Sequence, residues 1–288
     1  MLCILYVIAI ATLLGVAGLL LEHARPARAT RRWIWCVSIA LSMTVPPLYQ
    51  AKHSSSVTGM IGESRIDSFD PIVMKLWILT SALLLVWGLF NAWRVSRIAR
   101  GGAATVEGIK VVVSDSLGPA TVGIWRPRVL LPKWVLAMPN AQRQYVLRHE
   151  EEHRRAQDAR LLFIASLTLL LTPWNLALWW QLRRLSLAVE MDCDNRVVAA
   201  LGDATSYGET LFKVAQASNH DPRLQPAFLG GGGALERRLK LLTAPARLPR
   251  ALRYLLPVLA IGLLFVVLST PHPVLSSASA SASHATHR

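Results

Sequence analysis

The chain has 288 residues, 53% of them hydrophobic and only 17% charged, and the apolar residues are gathered into long uncharged blocks. That distribution argues against a freely soluble globular protein, and three cysteines (Cys3, Cys36 and Cys193) exclude a disulfide-stapled secreted domain. Lys+Arg 31 against Asp+Glu 17 leaves a formal charge of +14. Many arginines flank the apolar blocks, so the excess reads as a membrane signature and not as a nucleic-acid surface.

Residues 2–21 carry no charge and are long enough to cross a bilayer core of roughly 30 Å. No basic stretch precedes them and the run exceeds a signal core, so an uncleaved anchor is expected. Arg25, Arg28, Arg31 and Arg32 follow, which puts the amino terminus outside and residues 22–32 inside. A second span over about 33–48 should end at the breaker pair Pro46-Pro47. Residues 50–70 form an outer loop, and a third span over 71–93 closes inside on Arg94, Arg97 and Arg100. A last span over 254–275 follows Arg247, Arg250 and Arg253, and the Ser/Ala-rich residues 276–288 form a disordered tail. The sequence thus predicts a mainly α membrane protein with four transmembrane helices, three of them within residues 1–93.

Residues 94–253 remain on the cytoplasmic side and should hold the function. The β-branched runs 109–113 and 128–131 predict a small β-ribbon, with residues 117–123 as turns. Pro139-Asn140 supplies a breaker and N-cap for a helix from Ala141 past Arg160. That helix contains His149-Glu150-Glu151-Glu152-His153. Histidines four apart stack on one helical face and can offer ring nitrogens to one zinc ion. Glu150 is then placed as the general base that takes a proton from the attacking water. A solvated charged face with two histidines at that spacing by chance is the plain alternative.

A catalytic zinc site needs a third protein ligand and an open position. Residues 188–194 offer Glu190, with Asp194 one turn on to hydrogen-bond a ligating histidine. Cys193 reads as a small buried residue and only secondarily as a soft ligand. Between the two stretches, residues 161–182 are uncharged and long enough to span. One crossing would put Glu190 and the histidines on opposite sides. The interruption at Pro173-Trp174-Asn175 therefore predicts a membrane-dipping helical hairpin that returns to the same face.

With these motifs in order, the chain resembles the membrane zinc peptidases of the BlaR/MecR type, the signal-transducing antirepressors of beta-lactam resistance. The resemblance runs through Gly118-Pro-Ala-Thr-Val-Gly123, Arg126-Pro127, Leu130-Leu-Pro132, His149 to His153 with Asp158, the Pro-Trp-Asn break, Glu190 with Cys193-Asp194, and Leu235-Glu-Arg-Arg-Leu239. It implies a gluzincin-like α+β zinc peptidase domain facing the cytosol, with His149, His153 and Glu190 as zinc ligands and Glu150 as catalytic base. It also implies a bacterial cytoplasmic-membrane location, and a cytoplasmic repressor or the chain itself as substrate. Such sensors carry a large penicillin-binding domain after the last span. Only a short tail follows here, so a member lacking that sensor domain is expected.

The same motif with a downstream glutamate also resembles the HtpX and CAAX type of processing protease, although residues 118–132 favour the first family. A non-catalytic membrane transducer is the reading from a different class, against which the complete metal set argues. A substrate strand is expected at the ribbon edge near Val111 or Val129, and Tyr145 and Tyr207 are equal candidates for a transition-state donor. Gly230 to Gly233 reads as a hinge. Arg237, Arg238 and Lys240 read as an amphipathic basic helix against anionic lipid, without direct nucleic-acid contact.

Overall fold

The computed structural model describes residues 2–24, 31–57, 71–98, 100–114, 118–218, 232–243 and 249–269. The expected topogenic arginines Arg25, Arg28 and Arg247, the outer loop beyond residue 57 and the tail 276–288 lie outside them.

Among the described residues, two apolar blocks form helices long and apolar enough to cross a membrane: α1 (Leu2–Ala24) and α3 (Pro71–Ile98). The other two expected spans are also helical, the last of them described only as far as residue 269. α2 (Arg31–Val57) continues through Pro46-Pro47, because each proline removes one N–H bond while the flanking turns carry on. α10 (Arg250–Ser269) contains a shorter apolar stretch, Ala251–Val267. α1 packs against both α2 and α10, with Ile10, Leu14 and Val267 buried between them.

The uncharged segment after the motif forms a hairpin. α6 (Asp158–Leu171) ends at Thr172, and α7 (Leu176–Leu201) starts from Asn175. The Asn175 side chain accepts from the backbone N–H groups of Ala177 and Leu178, satisfying donors that an uncapped helix start leaves bare. The Trp179 indole N–H closes the turn on the Pro173 carbonyl at 2.9 Å. Ala165 and Leu169 of α6 share a core with Leu178, Leu185 and Val189 of α7 and with Trp35 and Ile39 of α2. Gln181, fully buried, donates to the Ala11 carbonyl at 2.7 Å and to Ser42 Oγ at 3.1 Å. α7 thus lies beside the middle of α1 and α2. A side chain at Gly15 would collide with Trp180, so glycine there permits the close approach.

The remaining elements build a small α+β unit. β1 (Ala103–Val106), β2 (Ile109–Ser114), β3 (Ala120–Val122) and β4 (Arg128–Pro132) form one sheet in the order β1-β2-β4-β3. Glu107 and Gly108, both at positive φ, make the tight β1–β2 turn. β2 and β4 run parallel, with Val111 opposite Val129, and β3 pairs antiparallel with β4. Both valines are therefore interior, and the expected ribbon edge at Val111 or Val129 is replaced by β3, formed within a stretch read as turns. After the short α4 (Lys133–Leu136), α5 (Asn140–Ala156) lays Val146 and Leu147 on Val111, Val129 and Leu131.

The motif helix is shorter than its sequence suggested. Its N-cap position is Pro139, which makes no side-chain cap bond, and it stops at Gln157, a left-handed residue at φ 54°. α8 (Ala204–Ser218) and α9 (Gly232–Thr243) complete the unit. Gly232 and Gly233 open α9, and the first half of the expected hinge lies outside the described residues.

Candidate metal centre

α5 and α7 bring the sequence-predicted residues together. His149 and His153 turn their Nε2 atoms to 3.2 Å of each other, with the rings edge to face. The Glu190 carboxylate lies across both, with Oε2 3.5 Å from His149 Nε2 and Oε1 3.6 Å from His153 Nε2. Ligands at about 2.0–2.1 Å from a tetrahedral zinc lie about 3.3 Å apart. The two Nε2 atoms, 3.2 Å apart and each faced by a different Glu190 oxygen at 3.5 or 3.6 Å, stand near that spacing, so one ion could be held with a shift of the carboxylate.

Each histidine is fixed from behind. His153 Nδ1 is 2.8 Å from Asp158 Oδ2. The break at Gln157 lets the next residue fold back onto a side chain of the preceding helix. His149 Nδ1 meets the Tyr207 hydroxyl at 2.9 Å, and that hydroxyl donates to Asp194 Oδ1 at 2.6 Å. Asp194 itself stands 3.6 Å from Nδ1, beyond hydrogen-bond range, so the expected contact runs through Tyr207. A neutral His149 that donates from Nδ1 to Tyr207 keeps Nε2 as its lone-pair face. Tyr145 and Tyr207 both line the cleft, and the Tyr207 hydroxyl makes this contact behind the ring.

Cys193 also groups with the two histidines as a possible metal-holding set. However, its sulfur lies 3.3 Å from His149 Nδ1 and donates to the His149 carbonyl at 3.4 Å, behind the face that Glu190 approaches. The Nε2/Nε2/carboxylate set has the better geometry for one ion.

One functional group escaped the sequence reading. Arg238 of α9 turns inward, donating from Nε and Nη2 to Asp194 at 2.8 and 2.7 Å and from Nη1 to Glu190 Oε2 at 2.9 Å. Arg237 and Lys240 stay exposed as expected, so the basic helix has one residue committed to the site. The signal available was periodicity: Leu235, Arg238 and Leu242 share a face with i, i+3 and i+7 spacing.

The charges are strongly coupled. Burial alone would raise the Glu190 pKa, but the Arg238 guanidinium and His153 hold it well below the usual carboxylate range. Burial works against charge on His149, yet the neighbouring Cys193 sulfur and Glu190 outweigh it and push its pKa up to about 10. Metal-free, the site therefore traps protons that a metal ion would replace.

Glu150 is buried beside the histidines, with the Thr121 hydroxyl of β3 3.0 Å from its Oε2 and 2.7 Å from its carbonyl oxygen. Pro119, Ala120 and Thr121 line one wall of a cleft of about 450 Å³ that reaches His149, His153 and Glu190. Leu211, Val214 and Leu235 make its apolar side.

Comparison with known proteins gives the family. The model of the family described as BlaR1 peptidase M56 matches residues 67–242, a stretch that contains α3, the sheet, the hairpin and every residue of the centre. The Regulatory protein BlaR1 of Bacillus licheniformis is 24% identical over 174 residues, which cover 53% of this chain and 29% of that protein's length. No solved structure matches.

Proposed function

Because this chain belongs to the BlaR1 peptidase M56 family, we propose that it is an integral membrane zinc metalloendopeptidase acting in a regulatory pathway. In this reading His149, His153 and Glu190 hold the ion and Glu150 is the catalytic base. The observation that carries it is the pair of Nε2 atoms 3.2 Å apart, faced by the two oxygens of one carboxylate at 3.5 and 3.6 Å, near a tetrahedral zinc's ligand spacing.

A zinc ion there would supply Lewis acidity, polarising the scissile carbonyl and acidifying water. The chain's own residues do the rest. Glu150 takes the proton from the attacking water and passes it to the leaving amine. Thr121, fixed in β3, aims the Glu150 carboxylate by its hydroxyl. Asp158 and the Tyr207–Asp194 pair keep both imidazoles in the orientation that presents Nε2. As the edge strand beside the cleft, β3 offers main-chain groups to an extended substrate, which would bind as an added antiparallel strand.

The substrate in this reading is a cytoplasmic protein such as a transcriptional repressor, or the chain itself; the similarity to a regulatory protein favours a regulatory target. A cytoplasmic-facing site in a bacterial inner membrane is supported by Arg94 and Arg97 at the end of α3 and by the hairpin returning beside α1 and α2. Lipid would cover the exposed apolar faces of α3, α6 and α10. Metal analysis of the purified chain tests the centre. About one zinc per chain is expected, lost in His149→Ala, His153→Ala and Glu190→Ala and kept in Glu150→Gln. Equal zinc in all four variants would place the metal elsewhere.

A further inference from the structure

The first turn of α2 is held at three points on α6 and α7, one of which reaches the metal centre. The Asp192 carboxylate of α7, one turn-face away from Glu190, caps α2 by accepting from the backbone N–H groups of Arg31 at 3.2 Å and Arg32 at 3.3 Å. The Arg31 side chain reaches the Met191 sulfur at 3.2 Å. The Arg32 guanidinium donates to Asp158 Oδ1 at 2.8 Å, while Oδ2 of the same carboxylate holds His153 Nδ1. Asp158 is almost completely buried, and its second cation, Arg196 of α7, is further away at 3.3 Å.

A carboxylate so buried sits where its charged donors place it, because an unpaired buried charge is costly. One of those donors, Arg196, belongs to α7, the helix that also carries Glu190. The other belongs to a helix whose remaining length packs in the bundle against α1 and α7. We propose that Arg32 is a positioning residue for the metal site: acting through Asp158, it ties the orientation of His153 to the position of the inner end of α2. The inference rests on the metal-centre reading and extends it. A movement of α2 within the bundle would shift Asp158 and with it a zinc ligand, which gives a membrane helix direct control over metal affinity.

The test is competition for zinc between a chelating dye and the full-length chain in nanodiscs. Wild type is compared with Arg32→Ala, Arg32→Lys, Asp158→Asn and the Arg32→Ala/Asp158→Asn double variant, each also melted metal-free. Loss of a group behind a metal ligand weakens binding by about 10–100-fold. Arg32→Ala should fall near 10-fold, since Arg196 stays, and Arg32→Lys should recover most of it with a single N–H to Oδ1. In the Asp158→Asn background, Arg32→Ala should add less than about twofold, because two residues in one network are not additive. An unchanged affinity in Arg32→Ala, or full additivity in the double variant, overturns the coupling while leaving the zinc site intact. So does an equal loss in Arg32→Ala and Arg32→Lys that follows a shared drop in metal-free melting temperature. Wild-type protein that takes up no zinc overturns the metal centre, and the coupling with it.

Discussion

Replacing Arg238 by methionine keeps most of the side chain's volume and removes its charge. Three charge-assisted hydrogen bonds are lost, two to Asp194 and one to Glu190. Asp194 bears the larger cost. Its side chain is 3% exposed, and among the described residues the Tyr207 hydroxyl is the hydrogen-bond donor left to it, with His149 Nδ1 further off at 3.6 Å. Breaking a buried pair by removing one partner costs about 3–5 kcal/mol, and the surviving Tyr207 bond argues for about 3 kcal/mol. Glu190 is 36% exposed to the cleft, so solvent screens its share, and little stability is assigned to that contact. The effect on Glu190 should appear instead in zinc affinity, as a loss of about 10-fold or more. Arg238→Lys should be intermediate, because one ammonium cannot fork across two carboxylates. Thermal melting in nanodiscs with and without zinc, joined to chelator competition, reads both quantities. Stability within about 0.5 kcal/mol of wild type, the range of ordinary surface changes, with unchanged zinc affinity would mean that Arg238 is the lipid-facing cation its sequence context suggests.

Glu150→Gln should retain zinc and lose about 10²- to 10⁴-fold in peptide cleavage, and Thr121→Val should show a milder loss from a misaimed base, both read from initial rates on one peptide. The raised His149 pKa stabilises the metal-free fold fully below its ordinary value of 6.5, and that contribution disappears as pH rises through about 10. Metal-free melting temperature should therefore decline across that window while zinc affinity rises, and Cys193→Ser should flatten both trends; a pH-independent zinc affinity would contradict the trapped proton. Replacing Pro173 and Asn175 with leucine removes the helix stop and a cap of about 1 kcal/mol. It should part Glu190 from the histidines, so a double variant with normal zinc content would refute the hairpin's role.

The histidine face of the candidate metal centre was legible because it is local. Two histidines at i, i+4 and the intervening glutamate are set by helix geometry alone, and α5 presents them as the spacing predicts. Glu190 was reachable by a topological argument from one proline and one asparagine. What stayed hidden depends on contacts distant in sequence. β3 is three residues long and exists as a strand only because β4 pairs with it, so its residues read as turns. The turn to Asp158 hangs on one left-handed glutamine with no sequence signature. Arg32 and Arg238 looked like flanking charges because composition cannot tell a cation facing phosphate from one facing a buried carboxylate. The α2 prolines misled for the opposite reason, since a strong local stop signal was overridden in a longer helix.

Turnover itself is tested most directly by incubating the zinc-loaded, reconstituted chain and its Glu150→Gln variant with a proteome-derived peptide library, followed by mass spectrometry of new termini. New termini, within the library or the chain, that arise with wild type and are absent with Glu150→Gln are the predicted result. Zinc bound at one per chain with no new termini from wild type would contradict it, leaving a metal-stabilised transducer that docks its partners without cutting them.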